Sequence, residues 1–408
     1  MFYNLSLLFF SWGIHLAAFF GHSKAKKIVV GNRGWQSNLR NINPEKRKVI
    51  WFHAASLGEF EQGRPLLEKF KKEQEQYFIL LSFFSPSGYE IHKNYAKADH
   101  ICYLPLDTKQ NAKKFLSIVQ PEMAIFIKYE FWFNYLKQLQ KRNSKSYLVS
   151  GIFNKNFIFF QWYGGWFRNK LDLFEHFFLQ DEYSKLLLEK VGLKNCTVTG
   201  DTRFDRVIEL RKTEFNKPLI ERFCTNKKVM ILGSAWEKEM EFARKFSEES
   251  EEWFFIIAPH EINSEKIDSY LQSLKVRGIK LSNSSDSQNL SEYKVLVIDQ
   301  IGLLSKIYRF ANVAFIGGGF GKGIHNLLEA AVYEVPVIFG PNYSFFKEAK
   351  DLIACGGGFS ISNYAEFQQI VSTLSKEENI QKAASASKKY VLSEAGATNK
   401  IYAALTRS

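Results

Sequence analysis

From Lys48 onward the chain alternates short apolar runs with longer stretches in which apolar positions recur every three or four residues. The runs KVIWFHAAS (48–56), YFILLSFFS (77–85), ICYLPLD (101–107), MAIFIKY (123–129), KSYLVSG (145–151), HFFLQD (176–181) and CTVTGD (196–201) read as strands. The first two are nearly unbroken in apolar character, as parallel strands are when helices cover both faces of the sheet. Stretches such as GRPLLEKFKKEQEQ and NAKKFLSIVQ lie between them with helical spacing. Strand and helix in turn predict βαβ units and a doubly wound parallel sheet.

The alternation then restarts with VMILGSA (229–235), WFFIIAPH (253–260), YKVLVID (293–299), VAFIGGG (313–319) and VPVIFGP (335–341). Between the two sets, DTRFDRVIELRKTEFNKPLIERF is polar and helix-like, as a linker or hinge would be. The reading is α/β, with two Rossmann-like domains over 23–205 and 206–385 facing a cleft at their strand carboxyl ends, where open sheets of this kind bind ligands. A C-terminal helix, 386–408, could pack back onto the first domain.

Residues 1–22 stand apart. MFYNLSLLFFSWGIHLAAFF has no charged side chain and is just long enough for a membrane helix. It has neither the basic start nor the small-residue cleavage site of a signal peptide. Lys24, Lys26, Lys27, Arg33 and Arg40 follow, a cluster that marks a cytoplasmic flank and attracts anionic headgroups. The competing reading is a buried N-terminal helix.

Composition narrows the class. The 408 residues are 46% hydrophobic, with 38 Phe, 18 Tyr and 8 Trp, which excludes a disordered chain and allows two large cores. The net charge of +13 admits nucleic acid, an anionic membrane or a polyanionic substrate as partner. No zinc-finger or RNP-like signature supports nucleic acid. Cys102, Cys196, Cys224 and Cys355 are far apart and form no CxxC pair, which fits a reducing compartment and neither a zinc site nor a disulfide framework.

Residues able to do chemistry gather after predicted strands: Glu59, Ser85 to Ser87, Asp107 and Glu130 in the first half, then Gly233, Ser234, Pro259, His260, Asp299 and Gly302. The stretch GGGFGKGIHNLLEAA (317–331) is neither GxGxxG nor a Walker A loop, because Lys322 and Gly323 stand at the deciding places. It predicts a glycine turn entering a helix near Asn326, whose free N–H groups could hold an anion. Asn326 with Glu329, and Ser56 with Glu59, also have the spacing of helix capping boxes, a purely structural alternative for both glutamates. His53, inside an apolar strand, reads as a core histidine; His260 and His325 are better placed for a ligand. No HxxxH, HExxH, Asp-x-Asp or GxSxG pattern is present, so metal or serine-hydrolase chemistry has no support. The aromatic stretch FIFFQWYGGWF (157–167) reads as buried packing before a lipid-facing surface.

Taken together, FHAASLGEF (52–60), SFFSPSGYE (82–90), YLPLD (103–107), YEFWFN (129–134), GDTRFDRV (200–207), APH (258–260), GGGFGKGIHNLLEAA and VPVIFGPN (335–342) resemble the 3-deoxy-D-manno-octulosonic acid (Kdo) transferase family of GT-B glycosyltransferases. The resemblance implies inverting transfer of Kdo from CMP-Kdo to the lipid A precursor, lipid IVA, in lipopolysaccharide biosynthesis at the cytoplasmic side of the inner membrane, with no metal cofactor and no nucleic-acid partner. It implies Glu59 as proton acceptor and Glu130 and Arg203 as transition-state stabilisers. Pro259, His260, Ile301, Gly302, Leu303, Asn326, Leu327, Leu328 and Glu329 match the nucleotide-binding positions. The chain departs from the family pattern at Trp236, where a histidine is usual, in APHEI (258–262), which replaces Pro-Arg-His-Pro and so lacks its arginine before His260, and at Lys128, in place of an acid. Two rivals stay open on this reading: another GT-B sugar-nucleotide enzyme, a UDP-sugar transferase or epimerase, and a non-enzymatic membrane polyanion binder.

Overall fold

The structure, a computed structural model, describes residues 2–407 apart from 41, 43, 45, 46 and 286–288. It divides into two compact units, Met1–Arg206 with Ala395–Ser408, and Val207–Glu394.

The first unit holds strands β1 (Lys48–Ala54), β2 (Tyr77–Phe83), β3 (His100–Tyr103), β4 (Met123–Ile127), β5 (Lys145–Gly151), β6 (His176–Leu179) and β7 (Cys196–Val198). They form one parallel sheet in the order β3-β2-β1-β4-β5-β6-β7. Side chains alternate across its two covered faces. Val49, Trp51, Phe78 and Leu80 enter one core, while Ile50, Phe52, Ala54, Ile79 and Leu81 enter the other. This is why β1 and β2 read as unbroken apolar runs. The chain order reverses between β1 and β4, so the loops leaving these neighbours flank the crevice typical of such sheets.

The last helix, Ala397–Arg407, belongs to this unit. Its Ile401 and Leu405 share a core with Leu66, Leu67 and Phe70 of helix Leu57–Glu73. Its start is held by Asp205, which accepts the N–H groups of Gly396 and Thr398 at 2.6 and 2.7 Å.

The second unit holds β8 (Lys228–Ala235), β9 (Trp253–Pro259), β10 (Gly278–Lys280), β11 (Val295–Val297), β12 (Val313–Ile316), β13 (Val337–Phe339) and β14 (Gly358–Ser360). They too form a parallel sheet, in the order β10-β11-β9-β8-β12-β13-β14. β10 (GIK) and β14 (GFS) were not expected: each sets a single apolar residue between a glycine and a polar residue, so no apolar run stands out. The stretch 201–223 is helical, over Thr202–Lys212 and Pro218–Cys224.

The apolar N-terminus forms helix Phe2–Phe19, followed after a 115° bend by Ser23–Gly31. No single helix among the described residues is long and apolar enough to cross a membrane. Nor is the first helix buried: Leu8, Phe9, Trp12, Leu16 and Phe19 are exposed, as are Phe20 just beyond it and Lys24, Lys26 and Lys27. It is tied down near its start, where the Tyr3 hydroxyl donates to Asp107 at 2.6 Å and the Asn134 amide donates to Asn4 at 2.9 Å. The stretch 157–167 is divided. Phe159 is core, whereas Trp162, Tyr163 and Trp166 are exposed, Trp162 by 92%, so burial holds for only part of it. Tyr3 packs on Trp166 and Phe133.

Candidate active site

In the first unit, β1 ends at Ala54 and Ser56 caps helix Leu57–Glu73 in an extended conformation. The Glu59 carboxylate turns back to accept the Ser56 N–H at 2.8 Å and the Ser56 hydroxyl at 3.0 Å. On the neighbouring strand, Lys128 takes a left-handed conformation (φ 67°) immediately after β4 and redirects the chain, leaving Glu130 beside the end of β1. Glu130 is 7% exposed, and its Oε2 accepts His53 Nε2–H at 3.1 Å and also Trp132 Nε1–H. Burial, then the nearby negative charge of Glu130, raise the pKa of half-buried Glu59; the two Ser56 donors and His53 act the other way. Glu59 is thus a carboxylate made more basic than usual, with one side toward solvent.

Arg203 lies at the start of helix Thr202–Lys212, with Nε and Nη2 both 2.7 Å from Asp201 Oδ2. Tyr129 connects it to the glutamates: burial and the charge of Glu59 raise its pKa, against the pull of Arg203. The structure therefore brings Glu59, Glu130 and Arg203 to one edge of the first sheet. Asp107 is elsewhere. Fully buried, it accepts the N–H groups of Asn134 and Tyr135 at 3.0 and 2.9 Å and caps helix Phe133–Lys141, rather than facing a crevice.

In the second unit the glycine stretch forms a tight turn after β12. Gly318 has φ 91°, which favours glycine, and a Cβ on Gly319 would lie 2.5 Å from the Gly340 backbone. The turn is held from below by Glu239, fully buried, whose carboxylate accepts the N–H groups of Gly318 at 2.8 Å and Trp236 at 3.1 Å. The helix beyond the turn is shorter and later than expected, only Leu328–Ala331. Asn326 Oδ1 accepts the Leu328 N–H at 3.1 Å, and its amide donates to Glu329 at 3.0 Å. Leu327 and Leu328 turn their side chains into the core, so only their backbone is available to a ligand. Pro259 ends β9 and His260 follows it; Ile301 is 92% exposed, and Gly302 next to it has φ 87°.

Residues 32–206 match the family model described as 3-deoxy-D-manno-octulosonic-acid transferase (Kdo transferase). The 3-deoxy-D-manno-octulosonic acid transferase of Chlamydia muridarum is 28% identical over 309 residues, covering 72% of this chain and 70% of that protein. That of Chlamydia trachomatis serovar A is 26% identical, covering 82% and 79%. Over its first half the chain thus matches the Kdo transferase family model, and it is similar to Kdo transferases across most of its length. A bifunctional glycosyltransferase/methyltransferase of Fusobacterium nucleatum is 26% identical across 87% of this chain, which spans only 57% of that protein. Among solved structures, the UDP-GlcNAc 2-epimerase of Neisseria meningitidis matches with a TM-score of 0.63 at 16% identity, covering 88% of this chain and all of that one. At that identity the likeness establishes the GT-B-type α/β fold alone.

Against the pattern of the Kdo transferase family, the departure at Trp236 has a clear structural outcome. The indole stacks on His260 with centroids 4.3 Å apart, and His260 stacks on His325 at 4.6 Å. Trp236 Nε1–H donates to His325 Nε2 at 3.2 Å, so that nitrogen must be unprotonated. Burial and His260 lower the His325 pKa, in agreement. The ladder borders a cavity of about 600 Å³ lined by Met240, Arg244, Pro259 and Tyr270. Sequence reasoning missed Glu239, whereas His53, read as a core histidine, is fully buried with both ring nitrogens partnered. The only available signal was the Trp236–Glu239 spacing of a capping box, masked by tryptophan at the cap.

Proposed function

We propose that this glycosyltransferase moves Kdo from CMP-Kdo to the primary hydroxyl of lipid IVA, with inversion at the anomeric carbon and without a metal ion. Glu59 takes the hydroxyl proton as the oxygen attacks. The new C–O bond forms on one face of the Kdo anomeric carbon while the bond to CMP breaks on the other, and CMP leaves with the electron pair. A base for this step must be ionised yet avid for protons. Glu59 combines a raised pKa with two local donors that hold its carboxylate in place, and this observation carries the reading.

Glu130 supplies negative charge against the developing oxocarbenium ion. Arg203 supplies positive charge to the departing phosphate or the Kdo carboxylate, exchanging part of its contact with Asp201. The donor nucleotide is assigned to the second unit, between His260, the glycine turn and Glu329, which accepts from ribose hydroxyls. The first helix, with exposed Phe9, Trp12 and Leu16 and the basic residues after it, is assigned to the inner membrane surface that presents the acceptor.

Incubation of membrane-reconstituted protein with CMP-Kdo and a tetraacylated, bisphosphorylated glucosamine disaccharide, followed by mass spectrometry, tests the proposal. A mass gain of one or more Kdo units is expected. Turnover of a UDP-sugar with none of CMP-Kdo would refute it.

A further inference from the structure

The two N-terminal helices enclose a space that the chemistry above does not use, and the sequence Gly21-His22-Ser23 makes the bend between them. Gly21, with φ 86°, closes helix Phe2–Phe19. Its N–H donates to the Ala18 carbonyl at 3.2 Å and that of His22 to the Ala17 carbonyl at 2.9 Å, the paired bonds of a Schellman motif. The His22 ring then accepts the Ala25 N–H at 3.3 Å and starts helix Ser23–Gly31. At its far end this helix is seated on the first sheet, where Gly31 leaves no room for a side chain beside the Tyr103 ring of β3. The 115° bend leaves a cavity of about 400 Å³ between the helices and the loops after β2 and β3, a volume in the range of small-molecule sites. Ile14 from the first helix, Ile28 and Val29 from the second, Trp35 beyond it, and Phe84 and Leu106 from the two loops make its lining mainly apolar. Arg33 borders it with an exposed side chain that has no hydrogen-bond or ion-pair partner among the described residues. Phe84 also packs on Trp132, ring centroids 5.2 Å apart, and Trp132 Nε1–H donates to Glu130. The inner wall of the cavity is thus one ring away from the carboxylates at the edge of the first sheet.

We propose that this cavity holds one acyl chain of the acceptor lipid, with Arg33 pairing one of its phosphates at the rim. This rests on the reading of the acceptor as an acylated, phosphorylated disaccharide. The chemistry of the walls selects the occupant. An apolar lining takes up hydrocarbon, and an unpartnered guanidinium beside it takes up a phosphate through paired hydrogen bonds. One molecule that satisfies both is an amphiphile with an anionic head. The position of the cavity selects among such amphiphiles. Its outer wall is the helix whose opposite face exposes Phe9, Trp12 and Leu16, and its inner wall is the ring packed beside Trp132 and Glu130. A chain drawn in from the membrane surface therefore carries its attached sugar toward the edge that bears Glu59. A bulk phospholipid matches the walls but has no use for that position.

The test uses the full chain in mixed micelles and reads occupancy without turnover. A tetraacylated, bisphosphorylated glucosamine disaccharide carrying a photoreactive diazirine at the end of one acyl chain is irradiated with the protein, and the labelled peptides are sequenced. Label is expected within 11–35 and 84–111, the segments that line the cavity. Unlabelled acceptor should displace it, and phosphatidylglycerol at the same mole fraction should not. Val29→Trp and Ile14→Trp, which fill the cavity, should abolish this labelling. In both, KM for the acceptor should rise about tenfold or more, as for the loss of roughly two buried methylene groups, while kcat and KM for CMP-Kdo stay at parent values. Arg33→Ala should raise KM for the acceptor several-fold, and Arg33→Lys should return most of it. The proposal is overturned if the label falls outside the two segments, if phosphatidylglycerol displaces it as well as the acceptor does, or if the tryptophan variants lower kcat with KM unchanged. Should those variants fail to fold, the labelling and displacement in the parent decide alone. If the parent transfers no Kdo, the proposed function fails, yet the labelling still reads what fills the cavity.

Discussion

The Glu59 carboxylate accepts both the backbone N–H and the hydroxyl of Ser56, at 2.8 and 3.0 Å. Helix cap and candidate base are thus one group. The contacts that begin the helix also hold the carboxylate and favour its ionised form, against burial and Glu130, which favour the protonated one.

Replacing Glu59 by glutamine should separate the two roles. The amide oxygen can still accept the Ser56 N–H, so the melting temperature should move by no more than a few degrees. Transfer should fall by about 10² to 10⁴, the range for loss of a positioned base. CMP-Kdo affinity, assigned to the second unit, should be unchanged by calorimetry.

Ser56→Ala removes a donor to the ionised carboxylate. The acidic limb of the kcat profile is expected to move to higher pH, because Glu59 then needs a lower proton concentration to ionise. Stability should fall by about 1 kcal/mol, typical of a lost N-cap, measurable by denaturant titration.

Asp107 predicts a pH dependence of stability. Burial, partly offset by the donors Tyr3, Asn134 and Tyr135, raises its pKa from 3.8 to about 7. The folded state therefore binds its proton more tightly than the unfolded chain does. The resulting stabilisation is fully present below about pH 4 and is lost as pH rises through about 7. Asp107→Asn, which cannot titrate, should melt with a shallower decline across that window. Tyr3→Phe should loosen the first helix, seen as faster hydrogen exchange over residues 3–19.

Glu239 holds the glycine turn. Glu239→Ala would leave the buried Gly318 N–H without an acceptor, at a cost of roughly 1–3 kcal/mol, and would remove the acceptor of the Trp236 N–H at the helix start. Donor binding should weaken together with the stability of the second unit. Gly319→Ala, which forces a Cβ against Gly340, should weaken donor binding even where the unit still folds.

The helix start at Leu57 was legible because a capping glutamate lies three residues from its serine. Most strands were legible because their cores lie on both faces. The three-residue strands at 278–280 and 358–360 carried no such run, and the helix expected near Asn326 begins later because Asn326 caps it from outside. Asp107, placed by its position after a strand, proved to belong to a helix start 27 residues on.

What the sequence determined by itself was therefore the local pattern, which depends only on neighbours along the chain: two βαβ series, an apolar N-terminus, and a glutamate at a helix start. Tertiary structure decided the partners. Glu130 acquires His53 across 77 positions, and Gly318 acquires Glu239 across 79. Such pairings follow from which strands lie side by side where each sheet reverses its order, and a buried polar group takes whichever partner that arrangement brings within reach.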